Sequence, residues 1–129
     1  MRRKTGVSGV EWVIDARGCD PSKLTDLASL KELVDGIVDD LSLNVVGEPL
    51  WHTFPGAGGV TGLCLLSESH LAIHTFPEHA SLCLNVFCCR PRGEWDVEAR
   101  LRRHVVASDV DITKIQRTYA ELTDPVPLP

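Results

Sequence analysis

The stretch GLCLLSESHLAIHTFP, residues 62–77, decides the fold. Gly62 to Leu66 and Leu71 to Phe76 are apolar runs of strand length, with the polar residues Ser67-Glu68-Ser69-His70 between them. Two such runs across a short polar link read as neighbouring strands joined by a hairpin. Working outward, Val45-Val46, Trp51 to Phe54 and Leu82 to Cys89 have the same β-branched or apolar character. Pro49, Gly56 to Gly59 and Pro77 punctuate them, so several strands fill residues 43–89.

The flanks are helical. Before this region, Val10, Trp12 and Ile14 alternate as on a half-buried strand, which Gly18-Cys19-Asp20-Pro21 ends. Asp20 is a good N-cap and Pro21 a good first helical residue, because the missing proline N–H costs nothing there. Leu24, Leu27, Leu30, Val34, Ile37 and Leu41 then form one apolar stripe at helical spacing, with Gly36 a point where the helix can bend. After the strands, Asp96 can cap a helix to Ala107, with Val97, Leu101 and Val105 on one side and Glu98 four residues before Arg102. Val110 and Ile112 suggest a last strand, and the proline-rich tail Asp124 to Pro129 reads as loose. Strand, helix, several strands, helix, strand predicts an α+β fold: a two-layer sandwich of a mainly antiparallel sheet with helices on one face.

With 129 residues, the chain is expected to be a single domain, 1–129, with its own core. Eighteen acidic residues against 13 Lys and Arg give a formal charge of −5, which disfavours a nucleic-acid partner. Arg2, Arg3 and Lys4, and Arg90, Arg92, Arg100, Arg102 and Arg103, read as solvated faces. No run reaches the ~20 apolar residues of a membrane span, and the N-terminus lacks the apolar core of a signal peptide. Five cysteines with no paired framework then fit reduced thiols and a cytoplasmic location.

Four groups of residues could carry chemistry. Gly56-Ala57-Gly58-Gly59 fails as a phosphate cradle, since Val60-Thr61 follows where a P-loop needs Lys and Ser/Thr; it reads as a connection between strands. His70, His74 and His79, with Glu68 and Glu78, have metal-ligand chemistry. Four residues along a strand span ~13 Å, however, too far for one ion, so no metal is expected. Cys64, inside an apolar run, reads as core; Cys88 and Cys89 point to opposite faces, so at most one can serve a given cleft. Ser67 to Glu78 crowds hydroxyls, imidazoles and carboxylates where two apolar strands meet, and from the residues alone this is either a polar hairpin or a reactive turn.

Resemblance separates the two. Glu68-Ser69-His70 through Pro77-Glu78 resembles the processing site of S-adenosylmethionine decarboxylases of the short bacterial and archaeal type. Gly18-Cys19-Asp20-Pro21 resembles the family's Gly-Cys-Asp after its first strand, and Trp51-His52-Thr53-Phe54 its aromatic-His-x-Phe strand. Gly59-Val60-Thr61-Gly62 is similar to its Gly-Val-Ser-Gly, and Asn85-Val86-Phe87-Cys88-Cys89 to its Asp-x-Phe-Thr-Cys.

The resemblance implies a chain that makes its own pyruvoyl cofactor from Ser69. Ser69 attacks the carbonyl of Glu68, the amide becomes an ester, and elimination followed by loss of the amine leaves a β chain, 1–68, and an α chain from position 69 to 129. A neutral hydroxyl is a poor nucleophile, so such a shift needs a nearby base. His74 matches the processing histidine that takes the α-proton of Ser69, and Thr61 a serine that assists. The pyruvoyl ketone then forms a Schiff base with the substrate and holds the electrons left by CO2. Cys89 matches the proton donor, its thiol protonated near neutral pH. Phe54 matches an aromatic on which adenine stacks, Glu78 a carboxylate for the ribose, and Phe76 stands at a tryptophan of the substrate site. The resemblance also implies a homodimer of cleaved protomers, with the strand face carrying Phe54, His74 and Cys89 near the interface, and a role in polyamine (spermidine) synthesis.

Some positions depart from the pattern. Asn85 replaces an acid, Arg90 a glycine, Phe76 the tryptophan, and His79 to Cys83 an aromatic-Gly-aromatic-Ala-Ala run. They leave cofactor formation intact and open the substrate question, so arginine or ornithine is the alternative to S-adenosylmethionine. A catalytically silent binding partner is the further alternative, and Ser69, His74 and Cys89 standing together argue against it.

Overall fold

The computed structural model describes residues 3–89 and 93–124. Six antiparallel strands form one sheet in the order β2-β3-β4-β5-β1-β6. The strands are β1 (Arg3–Arg17), β2 (Leu50–Thr53), β3 (Val60–Leu65), β4 (His70–Phe76), β5 (Ser81–Cys88) and β6 (Asp109–Asp124). Alternation on β5 is complete: Leu82, Leu84, Val86 and Cys88 are buried, and the residues between them are half-exposed. The buried set continues across the sheet through Leu71 and Ile73 on β4 and Val10, Trp12, Ile14 and Ala16 on β1. Every second residue therefore belongs to a second, open face, which includes Thr61, His70, His74 and Asn85.

Three helices, α1 (Pro21–Leu24), α2 (Leu27–Asp40) and α3 (Val97–Val105), cover the buried face. α2 contributes Leu30, Leu33, Val34 and Ile37 and α3 Val97, Leu101 and Val105, the stripes expected from their spacing. Thr75 is the buried polar residue among them. Its hydroxyl donates to Leu24 O at 2.7 Å and accepts from Val60 N at 2.9 Å, so both its roles are satisfied and α1 is tied to the β3–β4 pair.

α2 and α3 are clasped at the edge of the core by a fork: Arg100 Nε and Nη2 each donate to Asp40 at 2.6 Å. Arg100, with Trp95 behind it, holds the Asp40 carboxyl below its ordinary value of 3.8. A carboxyl depressed by folding stabilises the fold above its unfolded pKa, and that stability is lost as pH falls through the folded value. Replacing Asp40 with Asn should cost about 1 kcal/mol at neutral pH. The gap to the parent should close on titration below the usual carboxylate range, as followed by urea unfolding at several pH values.

The sequence expectations hold for the α+β class, the helical layer and the central strands, with local differences. The single stripe from Leu24 to Leu41 is two helices, because Thr25 closes α1 and Asp26 caps α2 by accepting from Ser29 N. Gly36 causes no break; a Cβ there would meet the Arg100 guanidinium at 2.1 Å, so it makes room for the Asp40 clasp. Val45-Val46 is not a strand but a single bridge, Val45 to Leu66. The first and last strands run much longer than their apolar cores. β1 pairs with β5 only over Val10–Ala16 but with β6 from Arg3 to Arg17. The expected i, i+4 pair forms, Arg102 Nε meeting Glu98 at 3.1 Å. The basic positions Arg2, Arg90 and Arg92, and the tail after Asp124, lie outside the described residues.

Candidate active site

The polar link between β3 and β4 is a tight turn. Leu66 N donates to Ser69 O at 3.0 Å and Ser69 N to Leu66 O at 3.4 Å, leaving Ser67 and Glu68 as the two loop residues. Ser67 N is anchored on Asn44 O at 2.9 Å, and Val46 N on Leu65 O at 2.8 Å. The Glu68–Ser69 peptide is thus held on both sides while staying at the surface. At the end of β5, next to this turn, the Cys89 thiol donates to Glu68 Oε2 at 3.3 Å. Cys88 is buried and faces the helices, as its neighbour's opposite orientation requires. Cys89, 21 residues beyond Glu68, is thereby brought to the Glu68–Ser69 turn.

Behind the turn a hydrogen-bond chain crosses the open face. His70 Nε2 meets Asn85 Oδ1 at 2.8 Å, Asn85 Nδ2 donates to Glu11 Oε2 at 2.8 Å, and Arg117 pairs with Glu11 Oε1. The Asn85 amide first, and the Arg117 guanidinium with it, hold the Glu11 carboxyl below the usual carboxylate range. The acid that the resemblance puts at position 85 is therefore not lost from the sheet; a carboxylate stands one strand away. Tyr119 completes this end. It is the extra residue of a bulge, since Val7 pairs with Ala120 and Ser8 with Thr118. Bulges re-aim a side chain, and here the hydroxyl lies over Gly9: a Cβ on Gly9 would meet Tyr119 Oη at 2.0 Å and Cys88 O at 2.1 Å. Glu11, Gly9, Arg117 and Tyr119 were not singled out from the sequence. The available signal was an acid between the apolar residues Val10 and Trp12 of the first strand.

The remaining candidates gather at the other end of β4. Thr61 and His74 are directly paired across β3 and β4, and Thr61 Oγ1 lies 3.1 Å from His74 Nδ1. They line an open cleft of about 470 Å³ with Phe54, Phe76 and Glu78. Phe54 stands edge-on to His52, ring centroids 4.7 Å apart, and its N–H donates to Gly59 O at 2.8 Å. The glycine run is the connection between β2 and β3, and Gly56 and Gly58 have φ of 81° and 82°, where a side chain would be strained. An aromatic wall, a hydroxyl–imidazole pair and a carboxylate suit a flat, polar, cationic ligand.

The candidate residues of one chain therefore fall into two groups. Ser69, Glu68 and Cys89 occupy one end of the β3–β4 hairpin; Thr61, His74, Phe54, Phe76 and Glu78 occupy the other. His70 to His74 spans about 13 Å of strand, so Ser69 and the His74 of its own chain lie apart. Beside the polar chain, the open face also exposes apolar side chains: Leu50, Leu63, Leu65, Val13 and Ile115.

Comparison with known proteins matches this architecture. Residues 10–118 fit the family described as S-adenosylmethionine decarboxylase. A relative named S-adenosylmethionine decarboxylase proenzyme, from Moorella thermoacetica, is 34% identical over 114 residues, covering 88% of this chain and 90% of its own. A protein of Ignicoccus hospitalis named arginine decarboxylase proenzyme is 35% identical over 77 residues, covering 60% of this chain and 54% of its own. The crystal structure of the adenosylmethionine decarboxylase from Aquifex aeolicus superposes with a TM-score of 0.74 at 23% identity, over 90% of this chain and 95% of that one, and shares the fold.

Proposed function

This chain belongs to the S-adenosylmethionine decarboxylase family and is a carboxy-lyase of that kind; from that premise we propose that it cuts itself between Glu68 and Ser69 and works as a pair of copies, each completing the other's site. The observation that carries the reading is the division of the candidate residues into two groups on one open face that also exposes Leu50, Leu63 and Leu65. A second copy packed against that face, antiparallel about a two-fold axis, brings the Thr61–His74 end of one chain to the Ser69–Cys89 end of the other, and buries the exposed Leu50, Leu63 and Leu65.

In this arrangement each residue has one task. Ser69 Oγ adds to the Glu68 carbonyl carbon, the C–N bond breaks, and the hydroxyl proton ends on the Ser69 nitrogen, leaving an ester. His74, its ring oriented by Thr61, takes the Ser69 α-proton, and the Glu68 carboxylate leaves. Water then replaces the nitrogen, which departs as ammonia, and the new chain begins with a pyruvoyl group. The residues present fit that group: the serine sits at a surface turn, with a thiol beside the preceding residue. The group supplies an electron sink for the carbanion left by CO2. Cys89 holds the proton that returns to carbon. Phe54 and Phe76 receive the adenine, and Glu78 accepts from the ribose hydroxyls. The cleft's aromatic lining, Phe54 and Phe76, favours the flat adenosyl group over the flexible chain of arginine. Decarboxylated S-adenosylmethionine feeds aminopropyl transfer to polyamines, which sets the place of the reaction in a cytoplasmic pathway.

Intact mass under denaturing conditions tests the cleavage. Two chains split after Glu68 are expected, the second lighter than its serine-started form by one ammonia. One full-length chain after prolonged incubation refutes the reading.

A further inference from the structure

We propose that Arg117, Glu11 and Asn85 hold His70 as its neutral Nε2–H tautomer, so that Nδ1 takes a proton from the α-ammonium group of the substrate. The role rests on the reading above; the tautomer does not.

The tautomer follows from donor and acceptor valence. A guanidinium only donates and a carboxylate only accepts. Glu11 accepts from Arg117 and from Asn85 Nδ2, so the amide must turn its acceptor oxygen to His70. Across the 2.8 Å contact with that oxygen, His70 Nε2 must then be the donor. Neutral imidazole with hydrogen on Nε2 has its lone pair on Nδ1. Directly opposite Nε2 stands a neutral amide, and the Glu11 carboxylate beyond it, which also attracts the ring, is paired with Arg117. Among the described residues, the chain of contacts from the ring reaches the charged groups Glu11 on β1 and Arg117 on β6. β3 and β5 place Leu65 and Phe87 beside it, the latter with ring centroids 5.9 Å apart.

The need for such an acceptor comes from the substrate. An α-amino acid arrives at neutral pH as an ammonium ion, which has no lone pair to offer a carbonyl carbon. One N–H bond must break and its proton must go to a base near residue 69. His70 is bonded directly to that residue, and its Nδ1 is the nitrogen nearer its own main chain. The transfer leaves a neutral amine and an imidazolium, with no other reactant.

Nitrogen-15 spectra of histidine-labelled protein should show His70 as neutral Nε2–H near pH 7, and Glu11→Gln should give a mixture of tautomers, because a glutamine can donate as well as accept. His70→Gln should cut cleaved-chain-normalised kcat roughly 10²-fold with KM little changed, and should flatten the acidic limb of the kcat profile. A Nδ1–H or cationic His70 in the parent protein overturns the tautomer. Unaltered kcat and pH profile in His70→Gln overturn the proton-accepting role. A parent chain that never cleaves overturns that role together with the proposed function, while the spectra still decide the tautomer.

Discussion

Replacing Ser69 with Ala should leave one uncut chain and no release of CO2 from S-adenosylmethionine. The substitution removes a single oxygen at a surface turn whose main-chain bonds, Leu66 N to Ser69 O and Ser69 N to Leu66 O, do not involve the side chain. Folding should therefore be spared, with a melting temperature within a few degrees of the parent. Without the hydroxyl there is no ester, no new N-terminus and no electron sink, so the loss of activity is complete rather than partial. Intact mass and radiolabelled CO2 release read the two effects on one sample. An uncut Ser69→Ala protein that still decarboxylates would remove the pyruvoyl group from the mechanism.

Co-expression of Ser69→Ala with His74→Ala should restore activity that neither has alone. In a homodimer of either variant, every site lacks one of the two groups. In the mixed dimer one site receives Ser69 and Cys89 from the His74→Ala chain and Thr61 and His74 from the other. Random pairing makes half the dimers mixed, with one working site in two, so about a quarter of parental activity should return. Mass analysis should find cut His74→Ala chains beside uncut Ser69→Ala chains. If the His74→Ala chain cuts itself when expressed alone, His74 has no part in processing; if no chain is cut in the mixture, the sites are not shared.

The sheet's interior was legible from its pattern, because strands β3, β4 and β5 alternate buried and open positions without interruption. The rest was hidden for physical reasons. β6 carries Lys114, Gln116, Arg117 and Thr118 at an edge of the sheet, where polar side chains stay in water and no apolar period marks the strand. The break between α1 and α2 was invisible because the apolar stripe passes through it; only the second cap, Asp26, betrays it. Among the candidate site residues, Ser69, His74 and Cys89 come from the motif, but their separation does not. The count of about 13 Å between His70 and His74, which speaks against a shared metal, speaks equally against a shared proton. Glu11 and Arg117 escaped because their meaning depends on register: Glu11 faces Ile115 and Phe87 in the ladder, and only there does it reach Asn85.

The strand order has a consequence for the sequence of events in the life of the molecule. A cut after Glu68 assigns β1, β2 and β3 to one piece and β4, β5 and β6 to the other. The pieces do not lie side by side, because β1 is hydrogen-bonded between β5 and β6. Each fragment on its own would have an open slot or a missing strand in its middle. Assembly is then a one-way street: the uncut chain must thread β1 into place first, while both parts are still one molecule and the encounter is intramolecular. Once cut, the interleaved pieces stay together as long as they stay folded. After unfolding they become two solutes that must find each other by diffusion, so recovery from heat should fall more steeply with dilution in the mature protein than in the Ser69→Ala chain.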